Sequence, residues 1–393
     1  MMNMKFLTVA LLWLLTIAAS ANDGVYYVNG NQIVPLQETD IAVTKEVLTI
    51  TLGDDNFARV DVQYEFTNRG SAKTIDVGFE AAAPYDPGAE SPFSKAGKHP
   101  DIFDFTVEMN GEHLSIRNYV IKQGTEEEPA TFAPLDLNIW REPTAEEDCF
   151  DNLVNKDTKE SINYAYAYCF KAHFKAGKNM VHHTYRYRMS GGVYQTFQVP
   201  YWLLPALRWA NHQIDDFTLR IQVDKSAKQF CMKADQMWKA GQWRVTQGVG
   251  KVHTLKNVWD SDTEYLEFSL RNGIFEWHST NFRPTSNIDI LSPDGILFYR
   301  DDFKLGRFYD RNTSLLLPFE KMKDENMSNG TTDGIDNRRI LRNLPYANRG
   351  HVFKDQKLAA YFKSLWWYMP DPAWNQDTSD FTEAEWGFIN SNK

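Results

Sequence analysis

Recurring runs of period-two alternation constrain this chain more than any other feature. Val60, Val62, Tyr64 and Phe66 are separated by Asp61, Gln63 and Glu65. Successive strand residues point to opposite faces, so this spacing makes one apolar and one polar face. The rhythm returns at Ile75, Val77 and Phe79, at Phe103, Phe105, Val107 and Met109, at Phe217, Leu219, Ile221 and Val223, and at Leu266, Phe268 and Leu270. Turn chemistry flanks the first run at Asp54-Asp55-Asn56 and at Asn68-Arg69-Gly70, and Asn110-Gly111 after the third is a hairpin signal. One-sided strands joined by short turns predict antiparallel sheets packed as a sandwich, here over residues 22–292.

Interruptions divide this pattern. Residues 81–100 are rich in Pro, Gly and Ala and read as a surface loop. Residues 123–178 are acidic and lack strand rhythm, which predicts a helical insertion or a functional loop. Tyr201–Trp209 is too apolar for an exposed loop and is expected to lie across the sandwich core.

The character changes after Ser292. Residues 293–336 read as a connecting segment and linker, and 337–393 as a small helical domain. Asp336 can cap a helix carrying Ile340, Leu341 and Leu344, with Pro345 expected to end it. Asp355 can cap a second helix, whose Leu358, Tyr361, Phe362 and Leu365 share one face. Thr382 and Glu385 fit a capping box for a last helix holding Trp386, Phe388 and Ile389. Trp366, Trp367, Tyr368 and Trp374 form the densest aromatic stretch. Neighbouring side chains diverge, so at least one ring is expected to face outward, and these four are the candidate binding residues.

The N-terminus reads as a secretory signal. Lys5 precedes the apolar run Phe6–Ile17, and Ala19-Ser20-Ala21 fits the cleavage pattern, so residues 1–21 are expected to be removed. The run is too short to span a bilayer, and no integral membrane segment is expected in the mature chain. Export leads to a periplasmic or extracellular address. There Cys149 and Cys169 are the candidate disulfide, with Cys231 left over; three unpaired thiols are the alternative. A net charge of -10 argues against a nucleic-acid partner.

Catalytic patterns are missing from the sequence. Met189-Ser190-Gly191-Gly192 is no nucleophile elbow, and Gly248-Val249-Gly250-Lys251 runs into Val252 rather than completing a phosphate loop. His182 and His183 are strand neighbours that point apart, and Asp324, Asn326 and Ser328 begin a calcium loop that Ile335 fails to complete. No metal or cofactor is expected.

Leu341-Arg342-Asn343, followed by Tyr346-Ala347-Asn348-Arg349-Gly350 and then Phe353, resembles the signature of the YARHG domain family. Tyr361-Phe362, Trp367-Tyr368 and Pro370 extend the match. The family's Arg and His positions carry Asn348 and Arg349 here. The resemblance implies an exported bacterial protein and brings no biochemical activity. Gly350 suits the position after a helix end, so the motif reads as a packing device first. The first 60 or so residues after the signal, including Gly30-Asn31-Gln32-Ile33-Val34-Pro35-Leu36, are similar to a bacterial domain of unknown function.

These readings favour a non-enzymatic envelope protein that binds a cell-wall glycan or an envelope protein. The alternative is a hydrolase of an envelope polymer, using Glu146, Glu147 or Asp148 of the acidic insertion.

Overall fold

A computed structural model describes residues 30–31, 33–36, 39–84, 93–125, 130–144, 147, 152–192, 195–224, 227–256, 263–297, 308–318 and 329–393. The expected signal segment lies outside them, as do Glu146, Asp148, Cys149 and the calcium-loop fragment at 324–328. The long strands are β1 (Ile41–Leu52), β2 (Phe57–Asn68), β3 (Lys73–Ala82), β4 (Ile102–Met109), β5 (Arg117–Lys122), β6 (Ser161–Phe174), β7 (Gly177–Arg188), β8 (Gln195–Trp202), β9 (Ile214–Val223), β10 (Ala227–Lys233), β11 (Arg244–Leu255), β12 (Tyr265–Phe282) and β13 (Ile288–Leu291).

The larger sheet runs β8-β13-β10-β12-β9-β1-β2-β7-β4, with β11 on the other side of β12. Its pairings along this path are antiparallel except β1 with β9, where Leu48 meets Leu219 in parallel register. Strand β12 is long because three neighbours use it: β10 and β11 pair with its first half, and β9 with its second. The smaller sheet sets β6 between β3 and β5. The two sheets face each other through aromatic rings. Phe66 meets Phe174 at 5.5 Å between centroids, and Phe79 meets Tyr185 at 5.1 Å. Such edge contacts add roughly 0.5–1.5 kcal/mol each beyond area burial.

The alternating runs behave as their spacing predicts. Val60, Val62, Tyr64 and Phe66 are all buried in the shared core. Asn110 and Gly111 both take positive φ, 53° and 89°, in a two-residue turn between Met109 and Glu112. That is the hairpin geometry whose twist matches the flanking strands. Tyr201, Leu203, Ala206 and Trp209 are fully buried, so this segment does cross the core.

Residues 123–178 correct the expectation of a helix or loop. They contain β6, fourteen residues long. Tyr164, Tyr166, Tyr168 and Phe170 face the main core, while Ala165, Ala167 and Cys169 pack in a second layer with Ile121 and Phe132. A strand covered on both sides carries no polar alternation, so its period disappears from the sequence.

Beyond the sandwich come α1 (Pro293–Leu297), α2 (Asn337–Asn348), α3 (Gln356–Ser364) and α4 (Glu383–Ser391). The caps form as read. Asp336 accepts from Arg338 N, Asp355 from Leu358 N, and Thr382 and Glu385 close a reciprocal box. Helix α2 runs through Pro345 instead of stopping there, a second correction. A proline inside a helix removes one backbone hydrogen bond. Here buried Leu344, Pro345 and Ala347 hold the turn, and Arg349 Nη1 donates to Pro345 O at 3.2 Å. Helices α2 to α4 share a core with Leu315, Leu316, Leu317 and Ile335, contributed by short hairpins. Among the described residues, no helix is long and apolar enough to cross a membrane.

Candidate binding site

The YARHG motif ends α2. Gly350 has φ 88°, its N–H donates to Ala347 O at 2.9 Å, and His351 N donates to Tyr346 O at 3.0 Å. This pair of bonds is the Schellman helix stop, which wants glycine at its left-handed residue. Arg349 sits where the family has His and is itself buried. Its guanidinium donates to both oxygens of Glu385 at 2.7 and 2.9 Å and to Asp380 at 2.9 and 3.0 Å, and lies 4.0 Å from the Phe381 ring centre. Glu385 thus serves the α4 capping box and Arg349 together.

The other motif residues mainly pack. Leu341, Ala347, Phe353, Tyr361 and Phe362 are buried in the helical core. Arg342 Nη1 donates to Asn392 O, and Asn343 Nδ2 donates to Arg339 O. Phe353 stacks on Phe362 at 4.5 Å. Pro370 is exposed beside this core.

The aromatic cluster takes a different place from the expected outward display. Trp367 and Tyr368 are buried, and half-buried Trp366 stacks on His253 of β11 at 4.2 Å. Trp374 is half-buried against Tyr346 and His351. The adjacent side chains do diverge, but the outward one meets the sandwich instead of solvent. Sequence spacing carries no information about that neighbour.

The seam between sandwich and helices is polar. Gln229 Nε2 donates to Asn348 Oδ1 at 3.0 Å, and Lys251 Nζ to Tyr368 O at 2.9 Å. Arg271 Nη1 donates to Met369 O at 3.0 Å, with Asp371 3.6 Å from Nη2. Beneath it, Glu267 is fully buried and its Oε2 lies 2.7 Å from His253 Nε2.

A cleft of about 620 Å³ opens at the Tyr265 end of β12 and is bounded by Lys233, Asp235, Trp238, Lys239, Thr254 and Leu266. A recess of about 200 Å³ shares Lys233, Asp235 and Trp238 and adds Tyr265 and Asp289. Trp238 is fixed from behind by Trp277 at 4.8 Å and Trp243 at 6.1 Å. Asp235 is consumed by its own turn, accepting from Met237 N, Trp238 N and Ser286 Oγ. Asp289 takes both bonds of Gln198 Nε2, and burial raises its carboxyl above the usual range. Lys233 and Lys239 make no ion pair among the described residues. Glu264, the other carboxylate of the cleft, lies 3.7 Å from Lys256, so the unpaired charges at the rim are cationic. Sequence reading missed this cleft because its walls come from the end of β10, the segment after it, Thr254 of β11 and the start of β12.

Other candidates resolve simply. Glu147 is held by Arg141 at 2.7 and 2.8 Å and by Thr144 N, and these bonds pull its carboxyl down to about 2. Cys169 is a free, buried thiol that burial pushes up to about 11, and Cys149 lies outside the described residues. His182 bonds Asp61, while His183 is buried and bonds Thr106 O. No three metal-ligating side chains converge among the described residues.

Residues 324–390 match the YARHG domain, which is found in exported bacterial proteins. The chain is thus a mainly β protein with a C-terminal helical YARHG domain. A crystal structure from Legionella pneumophila, described as a candidate nutrient-binding protein, aligns over 95% of this chain and 100% of its own. It has a TM-score of 0.51 and 16% identity. The fold is shared across both parts. An M1 zinc metallopeptidase from Deinococcus radiodurans aligns at TM-score 0.23 and 10% identity, over 62% of this chain and 43% of its own. Baculovirus P35 aligns at 0.24 and 10%, over 66% of this chain and 98% of its own. Nothing about this chain follows from those two scores. No curated protein matches the sequence significantly.

Proposed function

We propose that this is an exported, non-enzymatic binding protein of the bacterial envelope, released after residue 21, with its ligand in the Trp238 cleft. The observation that carries this reading is the cleft itself. Its volume of about 620 Å³ falls within the ~300–1,000 Å³ usual for small-ligand sites. Of its two carboxylates, Asp235 is occupied by internal hydrogen bonds and Glu264 lies 3.7 Å from Lys256, while Lys233 and Lys239 stand at the rim. That charge pattern suits a carboxylate-bearing ligand, such as a fragment of wall glycan with its peptide stem. The description of the Legionella protein as a candidate nutrient-binding protein agrees with a binding role. Helices α2 to α4 and the seam supply support, and the Trp366 cluster serves packing in this reading.

Retention of the mature chain on purified peptidoglycan, and calorimetric titration with soluble disaccharide-peptide fragments, test the proposal. Replacing both Lys233 and Lys239 by Ala should weaken binding about tenfold or more, equivalent to roughly 1.4 kcal/mol. Absence of binding to peptidoglycan, to its fragments and to envelope extract would overturn it. A hydrolase has less support, since Glu147 is engaged by Arg141 and Thr144.

A further inference from the structure

We propose that the YARHG turn and the segment Tyr368–Asp371 form a guanidinium cradle, and that Arg271 of β12 is the side chain it holds. This goes beyond the cleft reading and does not depend on it. Arg271 is only 6% exposed, and it leaves its own sheet to find partners. Its side chain bonds the helical domain, donating to Met369 O at 3.0 Å and pairing with the Asp371 carboxylate at 3.6 Å.

The floor of the cradle is Gly350. A side-chain carbon placed there would sit 2.3 Å from Arg271 Nη1 and 2.8 Å from Cζ and Nη2. The guanidinium therefore packs on bare backbone. Gly350 is needed twice, once for its φ of 88° at the helix stop and once for the arginine above it. The two walls are tied together, because Asp371 N donates to Gly350 O at 2.7 Å. The Tyr368 hydroxyl donates to His351 O at 2.5 Å, so the turn and the segment move as one piece.

The chemistry fits arginine rather than lysine. A planar fork of donors can reach a carbonyl and a carboxylate while its face rests on a peptide, and a compact ammonium cannot. The arginine inside the motif is not a competitor, since Arg349 is consumed by Asp380 and Glu385. Gln229 with Asn348 and Lys251 with Tyr368 O flank the contact and fix its register. The motif thus reads as a receptor for an arginine presented on a strand, filled here by the chain's own sandwich.

Hydroxyl-radical footprinting of the full mature chain tests this, with oxidation of Trp366 and Met369 as the readout and circular dichroism as the fold control. Arg271→Ala should raise oxidation of both residues several-fold and enlarge the radius of gyration. Adding ethylguanidinium should restore the protected pattern, and ethylammonium at the same concentration should not. Gly350→Ala should open the seam and resist rescue, while Gly387→Ala, which meets nothing within 4 Å, should leave it closed. Should Arg271→Ala fail to fold, Arg271→Lys reads the same contact and should also be open. Protection of Trp366 and Met369 in folded Arg271→Ala or Arg271→Lys would overturn the cradle. So would equal rescue by ethylammonium.

Discussion

The interior of the helical domain and its seam with the sandwich each bury an arginine beside Gly350, and they use it differently. Every nitrogen of Arg349 meets an acceptor within one small domain, from Asp380, Glu385 and Pro345. Arg271 reaches out of one domain into another and makes one good hydrogen bond and one looser ion pair. The first arrangement ties the end of α2 to the start of α4. The second joins two bodies through a polar surface, as intra-chain interfaces commonly do. What separates them is the completeness of the network rather than burial, since both side chains are 6% exposed.

The largest effect should come from the complete network. Arg349→Met leaves the buried carboxylate of Glu385 without its partner and should destabilise the helical domain by roughly 3–5 kcal/mol in urea unfolding. A loss below about 1 kcal/mol would erase the distinction drawn between the two arginines.

Acid should separate the two regions in the opposite sense. Burial lowers His99 of the sandwich to about 3 and His183 to about 4, against an ordinary 6.5. A histidine whose folded pKa is depressed is buried neutral, while the unfolded chain takes up its proton near pH 6.5. Its stability is therefore fully present above that pH. It is lost as pH falls towards 4 for His183 and towards 3 for His99, on the order of 3 kcal/mol for the first and about 5 for the second. In the helical domain His351 is lowered by burial and then by Lys354. The sandwich should open first as acidity rises, and His183→Phe should flatten the slope of its urea midpoint between pH 6.5 and 4.

The smallest effect belongs to a single cap. Thr382→Ala removes the hydroxyl that accepts from Glu385 N at 3.1 Å and should lower helical-domain stability by about 1 kcal/mol, with the sandwich midpoint unchanged.

Much of the fold was legible wherever one face of an element meets water. Strand β2 alternates because Asp61 and Glu65 point outward, and the three long helices announce themselves through Asp336, Asp355 and Thr382. Strand β6 was hidden because both its faces are covered. Pro345 misled because a local rule about helix ends yielded to the packing of α2 and to Arg349. The functional residues were harder still. Trp366 was visible as an aromatic, yet its neighbour His253 lies more than a hundred residues away on β11. The cleft joins Lys233, Lys239 and Thr254, which share no local pattern. Arg271 looks like any strand residue until Gly350 is placed beneath it.

The parallel pairing of β1 with β9 has a consequence for how the chain reaches this state. Residues 41–52 find their partners at 214–223, so the middle of the larger sheet closes only after a long stretch of polypeptide has been made and collected. Hairpins such as β1 with β2 can form early from near neighbours. The rate should instead be set by that distant closure, placing this protein among the slow folders of high contact order, where an unpaired β1 edge waits in the open and invites other strands.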